Sequence, residues 1–332
     1  METGRKRILS GMRPTGKLHL GHYTVLENWV ELQQTYDNYH LVADWHVLTT
    51  DYEHPALIWN NTYEMVLDWL AAGIEPVKSP IFRQSQIPEH AELHLMFSMI
   101  VNFGRLQRNP TFKEQIRDLG MEDEFSYGHI GYPVLQAADI LIYKGHLVPV
   151  GEDQVPHIEL AREIARRFNY LFCEGREPVF PEPEPRLTQF ASLPGLDRRR
   201  MAKSLGNTIL LSDPETEVRA KLRGAITDEQ KVRKNDPGRP DICTIFTYHQ
   251  KFNPAETLQI EADCRSGALG CVACKKRCGD KILEVLEPIQ QRRSEFAAKP
   301  SIIRDILADG ENRASAFAKA TMAEVRPLMG FE

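Results

Sequence analysis

Apolar positions in the first third of the chain switch between two periods. Ile8 and Leu9 form a short apolar run that enters a turn rich in Gly and Pro (Gly11, Pro14, Gly16). From Leu20 to Leu32 the apolar residues Leu20, Val25, Leu26, Trp29 and Leu32 fall at helical spacing. Strand, turn and helix thus follow one another. His40–Leu48 reads as a second strand ending in polar residues, Trp59–Ala72 as an amphipathic helix closed by Gly73, and Ser79–Phe82 as a third strand. This alternation predicts an α/β fold with a parallel sheet. Ligands in such sheets collect at the carboxyl ends of strands, which places Asp44 and His46 to line a pocket or, equally, to serve as caps and core polar groups.

The pattern continues past residue 88. Pro88–Arg105 reads as one helix carrying Leu93, Met96, Phe97, Ile100 and Val101, with His90 and His94 four apart beside Glu89 and Glu92. Two rings one turn apart can share a metal, but the apolar positions suit a packing or subunit contact and no third His or Cys lies near. A helix begun near Pro133 is apolar apart from Gln136 and Asp139, which share a face with Tyr132. A carboxylate inside Ala137–Ile142 is costly to bury without donors, so Asp139 predicts either a structural partner or a ligand N–H. Leu147–Val150 reads as a strand, and a further helix runs on from near Pro156. Between them, Gly151-Glu152-Asp153-Gln154 suits a helix N-cap or a binding turn in which Asp153 takes ribose hydroxyls and Gln154 reaches a second substrate. Residues 174–186, rich in Glu and Pro, read as a loop or β-edge segment. From Asp213 the pattern is mostly helical, which sets a domain boundary near residue 209.

Bulk properties narrow the class. A chain of 332 residues accommodates one sizeable core and a second, smaller domain. The absence of a signal-peptide pattern and of an eighteen-residue apolar run predicts a cytoplasmic protein without membrane association. A net charge of −5 argues against coating nucleic acid with the whole surface, so any RNA contact has to use local patches. Arg219, Lys221, Arg223, Lys231, Arg233 and Lys234 form one such patch, or a solvated helix face. Five of the six cysteines fall in one window: Cys243, twenty residues, Cys264, six, Cys271, two, Cys274, three, Cys278. In a reducing setting such crowding favours metal over disulfides. Spacing alone leaves zinc and an iron–sulfur cluster open, since thiolates hold both.

Two stretches carry phosphate chemistry. The turn Arg13-Pro14-Thr15 leads to His19-Leu20-Gly21-His22 at a helix N-terminus, where free backbone N–H groups and a positive dipole end favour phosphate. Two imidazoles can add donors there, and Gly21 lets a flat ring approach the backbone. Arg198–Ser204, followed by Leu205-Gly206-Asn207, reads as a mobile basic loop or a solvated one.

Taken in order, H-x-G-H near the N-terminus and Arg200-Met201-Ala202-Lys203-Ser204 about 180 residues later resemble the paired signatures of class I aminoacyl-tRNA synthetases. With Tyr132-Pro-Val-Leu-Gln-Ala-Ala-Asp139-Ile and Val148-Pro-Val-Gly151-Glu-Asp-Gln154, nearly the whole chain is similar to the tryptophanyl-tRNA synthetases. Ala202 and Arg200 depart from that family's Ser and Lys, and Gln136 stands where many bacterial relatives have Met. The resemblance implies a Rossmann-like catalytic domain over residues 1–208, with a helical insertion at about 88–130 that helps form a homodimer. An all-α domain over 209–332 would bind the tRNA anticodon and carry the cysteines. ATP and L-tryptophan would be substrates, with Mg²⁺ on the phosphates and tRNA(Trp) as partner. His19, His22, Lys113 and Lys203 would stabilise charge on the phosphates. Arg13, Pro14, Thr15, Gly21, Gly151, Glu152, Asp153, Leu193, Arg200, Met201, Ala202 and Ser204 would complete the ATP site. Asp139 would accept the indole N–H, with Tyr132, Gln136, His46, Gln154, Leu9, Val148 and Val150 around it. Cys243, Cys264, Cys271 and Cys274 match a subgroup that holds a four-iron four-sulfur cluster, with zinc as the other candidate. Two rival readings remain at this point, a tyrosyl-tRNA synthetase with Gln and Asp on the same helix, and a non-catalytic iron–sulfur RNA-binding paralogue.

Overall fold

The computed structural model describes residues 4–119, 125–187 and 193–331. Residues 120–124, part of the expected insertion, lie outside the described residues. Five strands, β1 (Arg7–Met12), β2 (Asp37–Val42), β3 (Ile81–Arg83), β4 (Leu147–Val150) and β5 (Glu184–Leu187), form one parallel sheet in the order β3-β2-β1-β4-β5. The first three run outward from the centre and the fourth returns to the other side of β1. That reversal opens a crevice beyond the carboxyl ends of β1 and β4, where ligands of open α/β sheets bind.

The helices between the first four strands are α1 (Leu20–Leu32), α2 (Asp44–Leu48), α3 (Ile58–Ala72), α4 (Glu89–Ser98), α5 (Phe103–Gln107), α6 (Pro110–Leu119) and α7 (Tyr127–Ile142). After β4 come α8 (Val155–Phe172), α9 (Glu215–Gly224), α10 (Thr244–Phe252), α11 (Thr257–Ser266), α12 (Cys271–Ala297) and α13 (Ser301–Leu328). Alternate strand residues feed opposite layers, as the pleat requires. Leu41 and Phe82 join Leu93, Phe97, Ala138, Ile158 and Phe168 on one face, whereas Val42 and Ile81 join Leu26, Trp29, Met65 and Trp69 on the other. Each large apolar side chain buried this way stabilises the fold by roughly 2–3 kcal/mol.

Three boundaries differ from the sequence pattern. The second strand stops at Val42, because Asp44 turns its carboxylate onto the N–H groups of Trp45 and Ser85 (3.1 and 2.9 Å) and starts a short helix. That spends Asp44 on the turn, the capping alternative. The helix expected from Pro133 begins at Tyr127, where Ser126 caps it by accepting the His129 N–H at 3.1 Å; Pro133 lies inside. The expected helix over 88–105 is two, broken at 99–102. By contrast the Glu/Pro-rich segment does supply an edge strand. Pro185 sits opposite Val148, and an edge position tolerates its missing N–H.

The last two helices return to the sheet. α12 docks on α3, with Arg292 donating to the Ala71 carbonyl at 2.6 Å and Arg293 to Asp68 at 2.7 Å and to Glu64. α13 covers the edge strand β3 through Gly310, where a Cβ would stand 1.9 Å from the Ile81 carbonyl oxygen. Only a hydrogen fits between that helix and strand. Arg313 to the Pro76 carbonyl (2.8 Å) and Arg83 to Glu311 (2.6 Å) clamp the same crossing.

Candidate active site

The first phosphate stretch is built at the β1–α1 junction. His19 is the N-cap of α1: its Nδ1 accepts the Gly21 N–H at 3.2 Å, and His22 Nδ1 accepts the His19 N–H at 3.3 Å, a capping box made of two imidazoles. Each Nδ1 is therefore an acceptor, so each neutral ring carries its proton on Nε2. Burial pulls His19 down to about 4, with the Lys203 charge adding to it. Burial takes His22 to about 3, helped by the charges of His19, Lys203 and Arg200. Both rings are neutral at pH 7 and offer Nε2–H donors. The rings lie close and tilted by 40°, centroids 3.8 Å apart, and a Cβ at residue 21 would stand 3.1 Å from the His19 ring. A side chain there would press on the capping ring.

The second stretch meets the first. Lys203 Nζ donates to the carbonyls of Thr15 and of Lys17, the latter at 3.0 Å, so the ammonium rests on the loop that precedes His19. Burial lowers the Lys203 pKa, opposed by the charge of Asp68. Met201 is buried, and its sulfur would touch a Cβ at Gly21. Backbone bonds Leu20 N–H to Ile209 O (3.0 Å) and Leu211 N–H to Leu18 O (2.9 Å) stitch the segments together. The loop expected to be mobile is closed by a residue the sequence pattern did not single out. Asn207, buried, accepts the Ala202 N–H at 2.9 Å and donates to the Arg200 carbonyl at 3.0 Å and to Asp197 at 2.8 Å. Arg200 and Ser204 are exposed, and Leu193 is buried behind them. Arg13 reaches Thr50 Oγ1 at 3.0 Å. Pro14 is buried and Thr15 exposed.

Asp68 is a second unanticipated organiser. Its Oδ2 accepts the Leu18 N–H at 2.7 Å, one residue before the capping histidine, while Oδ1 holds Arg293 of α12. A charge in the apolar run Val66–Leu70 is the signal that marks it, the same signal that marks Asp139.

Across the crevice, Asp139 is 2% exposed and accepts from three side chains. His46 Nε2 meets Oδ2 at 2.9 Å, His90 Nδ1 meets Oδ1 at 2.7 Å, and Gln84 Nε2 meets both oxygens at 2.9 and 2.8 Å. Burial pushes this carboxyl up, but hydrogen bonds from His46 and His90 win and hold it below the usual carboxylate range. It is an anion at neutral pH. Both His90 nitrogens are thereby spent, the second on Tyr143, so His90 and His94 do not act as a metal pair. Tyr132 is fixed by His157, whose Nε2 lies 2.9 Å from the hydroxyl while Nδ1 faces Asn109 at 3.1 Å. Leu9 and Val148 are buried, while Val150 and Gln136 are half-buried. Gly151 leads into the short turn Glu152–Gln154, where Gln154 donates to Asp153 at 2.8 Å. Lys113 is exposed on α6, whose first turn is tied to that acidic turn by Thr111 Oγ1 donating to the Asp153 carbonyl at 2.9 Å.

Residues 1–287 match the profile of the family described as tRNA synthetases class I (W and Y). The chain belongs to this family. It is 48% identical to the tryptophan–tRNA ligase of Thermotoga maritima over 97% of this chain and 98% of that protein. It is 42% identical to the tryptophan–tRNA ligase of Ralstonia nicotianae over 98% of each. Among solved structures it is similar to the tryptophanyl-tRNA synthetase of Campylobacter jejuni complexed with ADP and tryptophan, with a TM-score of 0.82, 28% identity and coverage of 98% of this chain and 100% of that one. Membership of the class I synthetase family agrees with the joined signature loops, and ATP is a substrate consistent with that class. Among the described residues no helix is long and apolar enough to cross a membrane.

In this synthetase the cysteine window spans the ends of three helices. Cys243 is the N-cap of α10, Cys264 is near the end of α11, and Cys271 and Cys274 occupy the first turn of α12. Burial raises the thiol of Cys243, of Cys264 and, to about 12, of Cys274, and neighbouring thiols of the set raise each further. They are near enough to feel one another. Yet among the described residues no group of three or more His, Cys, Asp or Glu is arranged to hold a metal ion. The four expected ligands are neighbours drawn from α10, α11 and α12. Cys278 is fully buried one turn further along α12.

Proposed function

We propose that the chain is a tryptophan–tRNA ligase working in two steps. An oxygen of the tryptophan carboxylate attacks the α-phosphorus of ATP, the bond to the β-phosphate bridge breaks, and tryptophanyl-adenylate and pyrophosphate form. A hydroxyl of the 3′-terminal ribose of tRNA(Trp) then attacks the adenylate carbonyl, releasing AMP. Neither step requires a side-chain nucleophile. Catalysis comes from holding the reactants together and from donors set where negative charge grows. The observation that carries this reading is the contact of the Lys203 ammonium with the Thr15–Lys17 loop beside the two neutral histidines of the capping box.

In this account His19 and His22 donate Nε2–H to phosphate oxygens, and Lys203 leaves its carbonyl rests for the departing pyrophosphate. Lys113 adds a second cation from α6. Arg13, Pro14, Thr15 and Gly21 shape the turn under the triphosphate, with Arg200, Met201, Ala202 and Ser204 closing over it. Gly151, Glu152 and Asp153 face the ribose and Leu193 the adenine. Mg²⁺, bound with ATP, supplies further neutralisation of phosphate charge. Asp139 takes the indole N–H, walled by Leu9, Val148 and Val150, while Tyr132, His46, Gln136 and Gln154 orient the amino acid. Charging of tRNA(Trp) with labelled tryptophan by the purified protein is the expected result. Charging of tRNA(Tyr) with tyrosine instead would overturn the specificity, and no charging would overturn the reading.

The domain plan extends this. Residues 1–208 form the catalytic domain and 209–332 the part that reads the tRNA anticodon. Cys243, Cys264, Cys271 and Cys274 would tie α10, α11 and α12 together when a four-iron four-sulfur cluster, or zinc, is bound. The place of Cys243, Cys271 and Cys274 at helix N-termini, where N–H groups of Ile245 and Phe246 reach Cys243, supports an anionic centre there. Iron and sulfide in anaerobically purified protein would bear this out; protein holding neither iron nor zinc would not. A homodimer through α4, α5 and α8 is supported by the exposed side chains Leu95, Met99, Phe103 and Tyr170 beside a cleft of about 550 Å³. A monomer by light scattering would contradict it.

A further inference from the structure

Asp139 is held by more protein than a single ligand contact requires. Gln84 and His90 are both fully buried and engage its two oxygens from the single turn after β3 and from α4, whereas His46 keeps 8% exposure on the five-residue helix α2. An ionised carboxylate only accepts, so His90 must present Nδ1–H to it. The opposite nitrogen, Nε2, stands 2.8 Å from the Tyr143 hydroxyl. Burial holds Tyr143 well above its ordinary pKa, so it keeps its proton and donates it to the lone pair on Nε2. The hydroxyl has one direction. Its ring is fully buried, stacked on Tyr39 at 4.8 Å and set edge-on to Phe82 at 5.2 Å. The relay Tyr143 to His90 to Asp139 therefore admits one tautomer and one carboxylate orientation.

We propose that His90 is a positioning residue that sets tryptophan specificity: locked by Tyr143 and working beside Gln84, it aims Asp139 so that the indole N–H takes the lone pair held by His46. The inference rests on the reading of Asp139 given above. His46 is the exchangeable partner because its short helix borders solvent, while Gln84 and His90 sit in the core and stay. A carboxylate fixed this way discriminates by the N–H itself, since a ring without that hydrogen leaves a buried anion short of a donor.

The test compares tryptophan with 3-(benzothiophen-3-yl)alanine, in which sulfur replaces the indole N–H. Pyrophosphate exchange gives kcat and KM for both in the wild type, Tyr143→Phe, His90→Ala, His90→Asn and Asp139→Asn. Melting temperature is recorded for each. Tyr143→Phe keeps the ring packing and removes only the hydroxyl. It is expected to raise KM for tryptophan about 10-fold, with kcat within about twofold and the analogue unaffected, so that discrimination falls. His90→Ala should lose more, and His90→Asn, whose amide can donate toward Oδ1, should recover part of the difference. Parallel loss for both amino acids, or no change for either, would sink the proposal and leave His90 a core residue. If Asp139→Asn itself keeps wild-type discrimination, the indole reading of Asp139 fails and takes this inference with it. If Asp139→Asn abolishes discrimination while the Tyr143 and His90 variants retain it, the positioning role alone fails.

Discussion

His19 does two jobs with opposite ends of one ring. Nδ1 caps α1 by accepting the Gly21 N–H, which leaves the proton of the neutral ring on Nε2 as a donor. Asparagine is as good an N-cap but lacks a donor at that reach. His19→Asn should therefore leave stability to urea within about 0.5 kcal/mol of wild type while lowering kcat for adenylate formation about 10²-fold. Equal losses in both would refute the division of labour. His40 offers a different residue-scale prediction. It is fully buried, stacked on Trp29 at 5.0 Å, and neither ring nitrogen has a partner among the described residues. Burial takes it down to about 3 from an unfolded value near 6.5. Between those values the unfolded chain binds a proton that the folded chain does not, so stability falls as pH drops from 6.5 toward 3. The contribution is about 1.4 kcal/mol per pH unit for this ring. His40→Phe, measured by urea unfolding from pH 6.5 to 4.5, should flatten the slope by about that amount, and an unchanged slope would contradict the assignment. Asp139 stood out in the sequence as a charge inside an apolar run, and the signature residues stood out by the order and spacing of the two stretches. Gln84, Tyr143 and Asn207 were not. Their partners lie across folded contacts, 55 positions away for Gln84 and Asp139, and local spacing holds no trace of such a bond.

At the scale of elements, the strands and the main helices follow the hydrophobic period, and their ends do not. Ends were set by capping groups whose partners are distant, as when Ser85 draws Asp44 out of the strand pattern. α13 shows the same limit. Its helical period is plain, but that it would seal β3 through a glycine could be seen only once Gly310 met Ile81. Gly310→Ala places a methyl inside the Ile81 carbonyl and must push the helix away. The expected cost is about 3 kcal/mol, visible as a lowered urea midpoint, and the loss should be mild at Gly224, where a Cβ meets nothing. Equal tolerance at both positions would show that α13 is not seated as described.

For the whole molecule, the parallel sheet and the mostly helical text after it were legible from alternation, whereas the insertion and the chemistry came from the resemblance carried by the paired signatures. What the chain length concealed is how directly the far end braces the near one. α12 carries cysteines in its first turn and, roughly 33 Å along its axis, Arg293, which grips the Asp68 carboxylate that also holds the loop before His19. The active site is thus assembled by segments from both halves of the chain. The reaction assigned to that site is activation of tryptophan by ATP, and the direct measurement is exchange of labelled pyrophosphate into ATP without tRNA, run with tryptophan, tyrosine or neither. Exchange with tryptophan alone is the predicted result. Exchange with tyrosine, or none from folded protein, would contradict it.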